Sequence, residues 1–204
     1  MKNIISLTLF LCMVFSLQAQ DTLVFINGKQ KKDVEFMKVQ DDYLYYQMWK
    51  GEKNKIKLIA KEEVYAVYTK EGHHIITYKQ DSIGFILDQG KMFDYIDGMA
   101  EGWKSYHNPY IPIVGFAVSV GAGIWPGIPW GLAVPVALPA VVSLFEAKEK
   151  RFRNFPEDKI GNYYFTLGYK DIAKAKKLRS AVIYGGSGYV VGMILNMAFI
   201  SPMP

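Results

Sequence analysis

Few side chains in this chain could do chemistry, and their spacing works against it. His73 and His74 adjoin the Glu71-Gly72 turn, and the third histidine is His107. Neighbouring residues on a strand point to opposite faces, so His73 and His74 cannot readily share one ion, and no third ligand follows them. An exposed turn pair accounts for both. His107 precedes Asn108-Pro109 and reads as an interface polar residue rather than a base. A Ser-His-Asp triad needs a serine in a nucleophile turn, and Ser82, Ser105 and Ser187 stand in none. Gly185-Gly186-Ser187-Gly188 lacks the lysine of a phosphate loop and opens an apolar stretch, so helix packing explains it better. Asp41-Asp42, Glu62-Glu63 and the pair Asp94 and Asp97 fit a turn, a solvated face and a helix surface. A calcium loop needs a denser run of oxygen ligands. One enzymatic alternative gathers Asp94, Glu101 and His107 at a junction between domain and membrane. The expectation is a protein that is not an enzyme, with no metal and no cofactor.

The elements that would position these groups are dominated by charge-free sequence. Residues Ser105–Phe145 are 41 consecutive uncharged residues, and Ser180–Pro204 form a second such run. So much apolar backbone in 204 residues points to a lipid bilayer as part of the solvent. The N-terminus reads as an export signal over 1–20: Lys2, an apolar stretch Ile4–Phe15, then a polar segment with Ala19 at a plausible cleavage point. Cys12 lies within that signal, so the mature chain holds no cysteine and forms no disulfide.

Charge is uneven. Residues 21–90 carry 11 lysines against 11 acids, whereas 146–179 carry ten Lys and Arg against five acids. The pI near 9.0 therefore reports one basic segment between two apolar runs. In a membrane protein that is a topology signal, and nucleic-acid binding is not expected.

Residues 21–89 alternate in strand fashion, punctuated by Asn27-Gly28, Asp41-Asp42, Gly51–Asn54 and Glu71-Gly72. Six or seven short strands predict an α+β protein whose periplasmic β domain is a small antiparallel barrel or SH3-like roll. Phe25, Phe36, Tyr45 and Tyr65 are its expected core aromatics, and Tyr43, Tyr45, Tyr46 and Trp49 its candidate binding surface. Residues 90–107 then follow a helical stripe of Met92, Ile96, Met99, Trp103 and Tyr106. This helix either packs on the β domain or lies at the membrane surface. Trp103, Tyr106 and Tyr110 cluster where the chain would enter lipid.

The span 108–145 is broken at Pro126-Gly127-Ile128-Pro129-Trp130-Gly131. It forms either one kinked crossing or a hairpin of two short helices. An exported N-terminal domain with a cytoplasmic basic loop, 146–179, favours the kinked crossing. Lys174, Lys176, Lys177 and Arg179 then mark the membrane interface and can meet anionic headgroups. In the last helix, 180–204, Ala181, Gly185, Gly188 and Gly192 form a ridge of small residues containing a GxxxG motif. Its partner is either Ala117 and Gly121 of the first span or the same helix of a second copy. A weak internal echo links Tyr95-x-x-Gly98 before the first span with Gly168-Tyr169 before the second.

The opening Asp-x-x-x-x-x-Asn-Gly of Asp21–Gly28, the Glu63-Val64 step, the Gly- and Pro-rich apolar segment and the basic helix Gly168–Arg179 occur in that order. In this order and composition the chain resembles a loose group of uncharacterised exported proteins of Bacteroidetes-type Gram-negative bacteria. The resemblance implies a cell-envelope location and this architecture, and carries no activity. The reading that follows is an inner-membrane protein whose periplasmic β domain binds an envelope partner or serves as scaffold or sensor. The alternative is an oligomeric pore or transport-accessory subunit that self-associates through the Gly-rich helices.

Overall fold

The computed structural model describes residues 21–50, 53–81, 86–125, 128–145, 155 and 157–200. The export signal expected at 1–20 lies outside the described residues, as do Lys148–Arg153. The chain is α+β and divides into two compact units between Lys91 and Met92.

The first unit is one antiparallel sheet of six strands: β1 Asp21–Phe25, β2 Gln30–Gln40, β3 Tyr43–Lys50, β4 Lys53–Ala60, β5 Val64–Tyr68 and β6 His74–Ile76. Strand order is β4-β3-β2-β1-β5-β6. The sheet is open, with β4 and β6 at its edges, so the expected barrel is corrected to an open sheet. The reason is non-local. β1 pairs with β2 on one side and β5 on the other, which puts the first strand in the middle and leaves the later hairpins outermost. Of the expected seventh strand, Phe85–Leu87, residue 85 lies outside the described residues, and Ile86 and Leu87 form no strand.

Turn chemistry sets the local register. Gly28 takes φ 74°, which a side chain rarely adopts, and Asn27 Oδ1 accepts from Lys29 N at 3.1 Å. The two-residue Asp41-Asp42 loop joins β2 to β3 with Asp41 at φ 53°. Leu23, Val34, Leu44, Tyr46, Val64 and Val67 form the core, with Phe25 and Phe36 packed beside them. Tyr65 is buried as expected, whereas Tyr45 is only half-buried and Tyr46 takes the core position. Alternation decides this: Leu44 and Tyr46 share one face, Tyr43 and Tyr45 the other.

Asp21 is a buried carboxylate that accepts from Phe36 N at 2.7 Å and from Lys70 N at 2.8 Å. It ties a bulge in β2 to the turn after β5, positions 15 and 49 residues away in sequence. Replacing it orphans two amides. Asp21→Ala in the full chain should cost about 2–4 kcal/mol, with Phe36 and Lys70 amide exchange accelerated relative to that of the helical unit. Unchanged exchange at both amides would show that the carboxylate is dispensable.

The second unit holds the helices. α1 (Gln89–Ser105) begins at the unit boundary; α2 (Tyr110–Ile124), α3 (Ile128–Ser143) and α4 (Tyr163–Leu195) follow, and a single π turn, Asn196–Ile200, extends α4. At 33 residues α4 runs for about 50 Å and is the spine of the unit. α1 and then α2 lie along it in the same direction. Gly98 meets Phe165, Gly102 meets Ile172, Phe116 meets Gly188 and Ile124 O accepts from Asn196 Nδ2. α3 runs back: Gly131 sits against Ala122 and Leu138 against Gly115. α2 and α3 therefore pack antiparallel, as the two arms of a hairpin do. The helix breaks at Trp125, and Lys177 Nζ donates to Phe145 O at 2.8 Å, which returns the end of α3 to the middle of α4.

Candidate functional site

The helical unit has two zones along α4. In the polar zone α1 packs against Tyr163–Lys176. A Cβ on Gly98 would collide with the Phe165 carbonyl, and one on Gly168 with the Tyr95 carbonyl. The two aromatic-x-x-Gly segments thus interlock reciprocally, and the weak sequence echo is where α1 and α4 meet. Tyr106, Phe155, Phe165, Tyr169 and Ala173 fill the core beneath, with Phe155 edge-on to Phe165 and Tyr169 at 5.0 and 4.8 Å between ring centres. The apolar stripe of α1 is real: Met92, Ile96, Met99 and Tyr106 are buried. Within the unit, Gly98 and Gly102 of this helix and Tyr106 after it pack against α4.

Ionic contacts fasten this zone. Lys159 Nζ lies 2.9 Å from Asp94 Oδ1 and 3.4 Å from Asp97 Oδ2, and Asn162 Nδ2 donates to Asp94 Oδ2 at 2.8 Å. Asn162 also caps α4 by accepting from Phe165 N at 3.1 Å. Tyr95 OH donates to Asp171 Oδ2 at 2.7 Å, and burial together with that carboxylate pushes the phenol up. Burial opposes ionisation of Asp94, but the Lys159 and Asn162 hydrogen bonds outweigh it and hold the carboxyl below the usual range. Asp97 differs. Burial dominates there, and its carboxyl is raised despite Lys159. Asp94, Glu101 and His107 do not converge: the cleft that His107 lines includes neither of the other two. Among the described residues no group of three His, Cys, Asp or Glu could hold a metal ion.

In the apolar zone small residues face inward. Gly188 would place a Cβ 2.5 Å from Phe116 O, Gly192 would collide with Val120 O, and Gly123 with Tyr189 O. Ala181 and Gly185 are buried on the same face. The facing row on α2 is Gly115, Ser119 and Gly123; Ala117 and Gly121 point away and are exposed. A Cβ on Gly121 would meet nothing within 4 Å. The Ser119 hydroxyl is fully buried with no hydrogen-bond partner among the described residues. Outward, by contrast, Ile113, Val136, Val182 and Ile194 are each more than half exposed. Large aliphatics outside and glycine inside reverse the usual order of a protein in water. Among the described residues one helix, Tyr163–Phe199, is long and apolar enough to cross a membrane by length and composition.

The expected interfacial residues separate. Tyr110 is exposed, Trp103 is half-buried and Tyr106 belongs to the aromatic core. Lys176 Nζ donates to the carbonyls of Gly102, Trp103 and Tyr106 at 3.1, 2.5 and 3.1 Å, closing the C-terminal end of α1. Lys177 is buried on Phe145 O, while Lys174 and Arg179 are exposed.

On the sheet, Tyr43, Tyr45, Ile56 and Leu58 share the face opposite the core, because Tyr45 pairs with Leu58 and Gln47 with Ile56. Tyr43, Ile56 and Leu58 are 51%, 59% and 56% exposed. Tyr46 is removed from the candidate surface: it lies in the core, and its hydroxyl accepts from Lys31 Nζ at 2.9 Å. The Trp49 side chain lies outside the described residues. Ile56 and Leu58 escaped the sequence reading because their strand also carries Lys53, Lys55 and Lys57, which mask an apolar face set by alternation.

Set against protein-family models, curated proteins and solved structures, the chain matches none.

The opposite shifts of the two aspartates give a signed prediction. Stability from Asp94 is present above the ordinary value of 3.8 and lost as pH falls through its lower native value. Asp97 acts in reverse: its raised native value means that stability is gained as pH falls through it. At neutral pH Asp94→Asn should cost about 1–2 kcal/mol. Asp97→Asn should be neutral or stabilising. Thermal unfolding of both variants checks this, and equal losses would refute the assignment.

Proposed function

We propose that this chain is a non-enzymatic, membrane-anchored cell-envelope protein whose β unit binds a partner outside the cytoplasm. The carrying observation is the exposed apolar face of Tyr43, Ile56 and Leu58 beside the open β4 edge. An edge strand offers backbone donors and acceptors to an extended segment, and alternate side chains give it specificity. Lys55 and Lys57, on the other face of β4, discourage indiscriminate pairing of edges.

Anchoring rests on the inverted packing of the helical unit. α2 and α3, at about 22 and 24 Å, are shorter than the hydrocarbon core of about 30 Å. The uncharged part of α4 and its terminal turn match that thickness. Because α2 and α3 return to one end, the described part of the basic segment 146–179 shares a side with α1. This opposes the charge rule for an exported β unit at the inner membrane. Of the segment's cations, Lys159 is offset by the carboxylates of Asp94 and Asp97. The pore reading has no observation in its favour: Gly188 and Gly192 are occupied by α2 of the same chain.

The test is photocrosslinking in intact cells from position 58, with position 57 on the opposite face as control. A discrete adduct from 58, absent from 57 and reduced at least about tenfold by Ile56→Lys, is expected; a buried apolar anchor of this kind contributes roughly 1.5–3 kcal/mol. Equal labelling from both faces would remove the proposed surface.

A further inference from the structure

A cleft of about 420 Å³ lies within the helical unit, where α1 gives way to α2 and both face the middle of α4. Trp103, His107, Ile111, Lys176, Arg179 and Tyr184 are among the residues that line it. Its position is specific. Arg179 is the last charged residue of the chain, and Ser180 opens the final uncharged run. The cleft therefore straddles the level at which α4 changes from polar to apolar, and Ile111 and Tyr184 belong to the apolar zone.

From this geometry we infer that the cleft is a binding site for the phosphate of an anionic phospholipid headgroup. The inference rests on the membrane reading above. Arg179 is exposed and its planar guanidinium suits a phosphate diester. The Lys176 ammonium gives its hydrogen bonds to three carbonyls, so it contributes fixed positive charge behind the site rather than a contact. Lys177 adds a second such charge, held on Phe145 O. The volume lies in the range of small-ligand sites. A lipid rather than a free phosphate ester is favoured because the lining includes Ile111, Pro112 and Tyr184 of the apolar zone, and Ile113, Val114 and Val182, close to them in sequence, are exposed aliphatics along which acyl chains would lie.

The experiment uses the full chain purified in a neutral detergent. Native mass spectrometry compares phosphatidylglycerol with phosphatidylcholine of the same acyl chains, and thermal shift measures glycerol phosphate alone. Phosphatidylglycerol should bind about fivefold more tightly, the factor that one charge contributes near an anionic surface. Arg179→Gln should abolish that preference, whereas Lys174→Gln, exposed on the same helix but outside the cleft, should keep it, with helical content unchanged in both. Glycerol phosphate matching the lipid would overturn the lipid assignment. A chain that needs detergent yet shows no preference, or one that Arg179→Gln leaves unaltered, would overturn the cleft while sparing the anchor. A chain soluble without detergent would overturn both.

Discussion

Backbone-to-backbone contact along α4 is the constraint on which the helical unit depends. At Gly98 and Gly168 in the polar zone, and at Gly123, Gly188 and Gly192 in the apolar zone, a single added Cβ would strike a carbonyl of the neighbouring helix or lie within 3 Å of it. No hydrophobic side chain can substitute there, because the helices are already in contact. The unit therefore gains cohesion from close van der Waals approach rather than from burying large side chains. That choice leaves its aliphatics outside, in keeping with the membrane anchoring proposed above.

The two zones are held by different chemistry on one continuous helix. Near Tyr163 the contact is wet at its rim, with Lys159 and Asn162 on Asp94 and Tyr95 on Asp171. Beyond Ser180 no charged group remains. Between them Lys176 and Lys177 close the ends of α1 and α3 by donating to carbonyls at or just beyond their C-termini. The basic cluster is thus joinery first, and its residual field is what an anion at the cleft would feel.

Local signals were readable in the sequence, and long-range partners were not. Asn27-Gly28 and Asp41-Asp42 mark their turns, and the small-residue ridge of α4 has the correct spacing. Its counterpart was misplaced: Gly115, Ser119 and Gly123 share the four-residue spacing of Ala117 and Gly121, and spacing cannot say which row faces α4. Closure of the sheet was equally unreadable, because it turns on whether β4 meets β6 across strands distant in sequence. The breaker before α3 was visible, but charge counting bears only on sidedness and could not show that α2 and α3 pack against each other. Tyr46 shows the finest failure, since a one-residue step along β3 moves an aromatic from the outer face to the core.

The central claim is that hydrocarbon surrounds the apolar zone. It is tested most directly by washing membranes from expressing cells with alkaline carbonate and then sizing the released and retained protein. The account predicts that the full chain stays in the pellet and enters solution only with detergent. A folded, monomeric protein recovered in the carbonate wash and stable in plain buffer would contradict it.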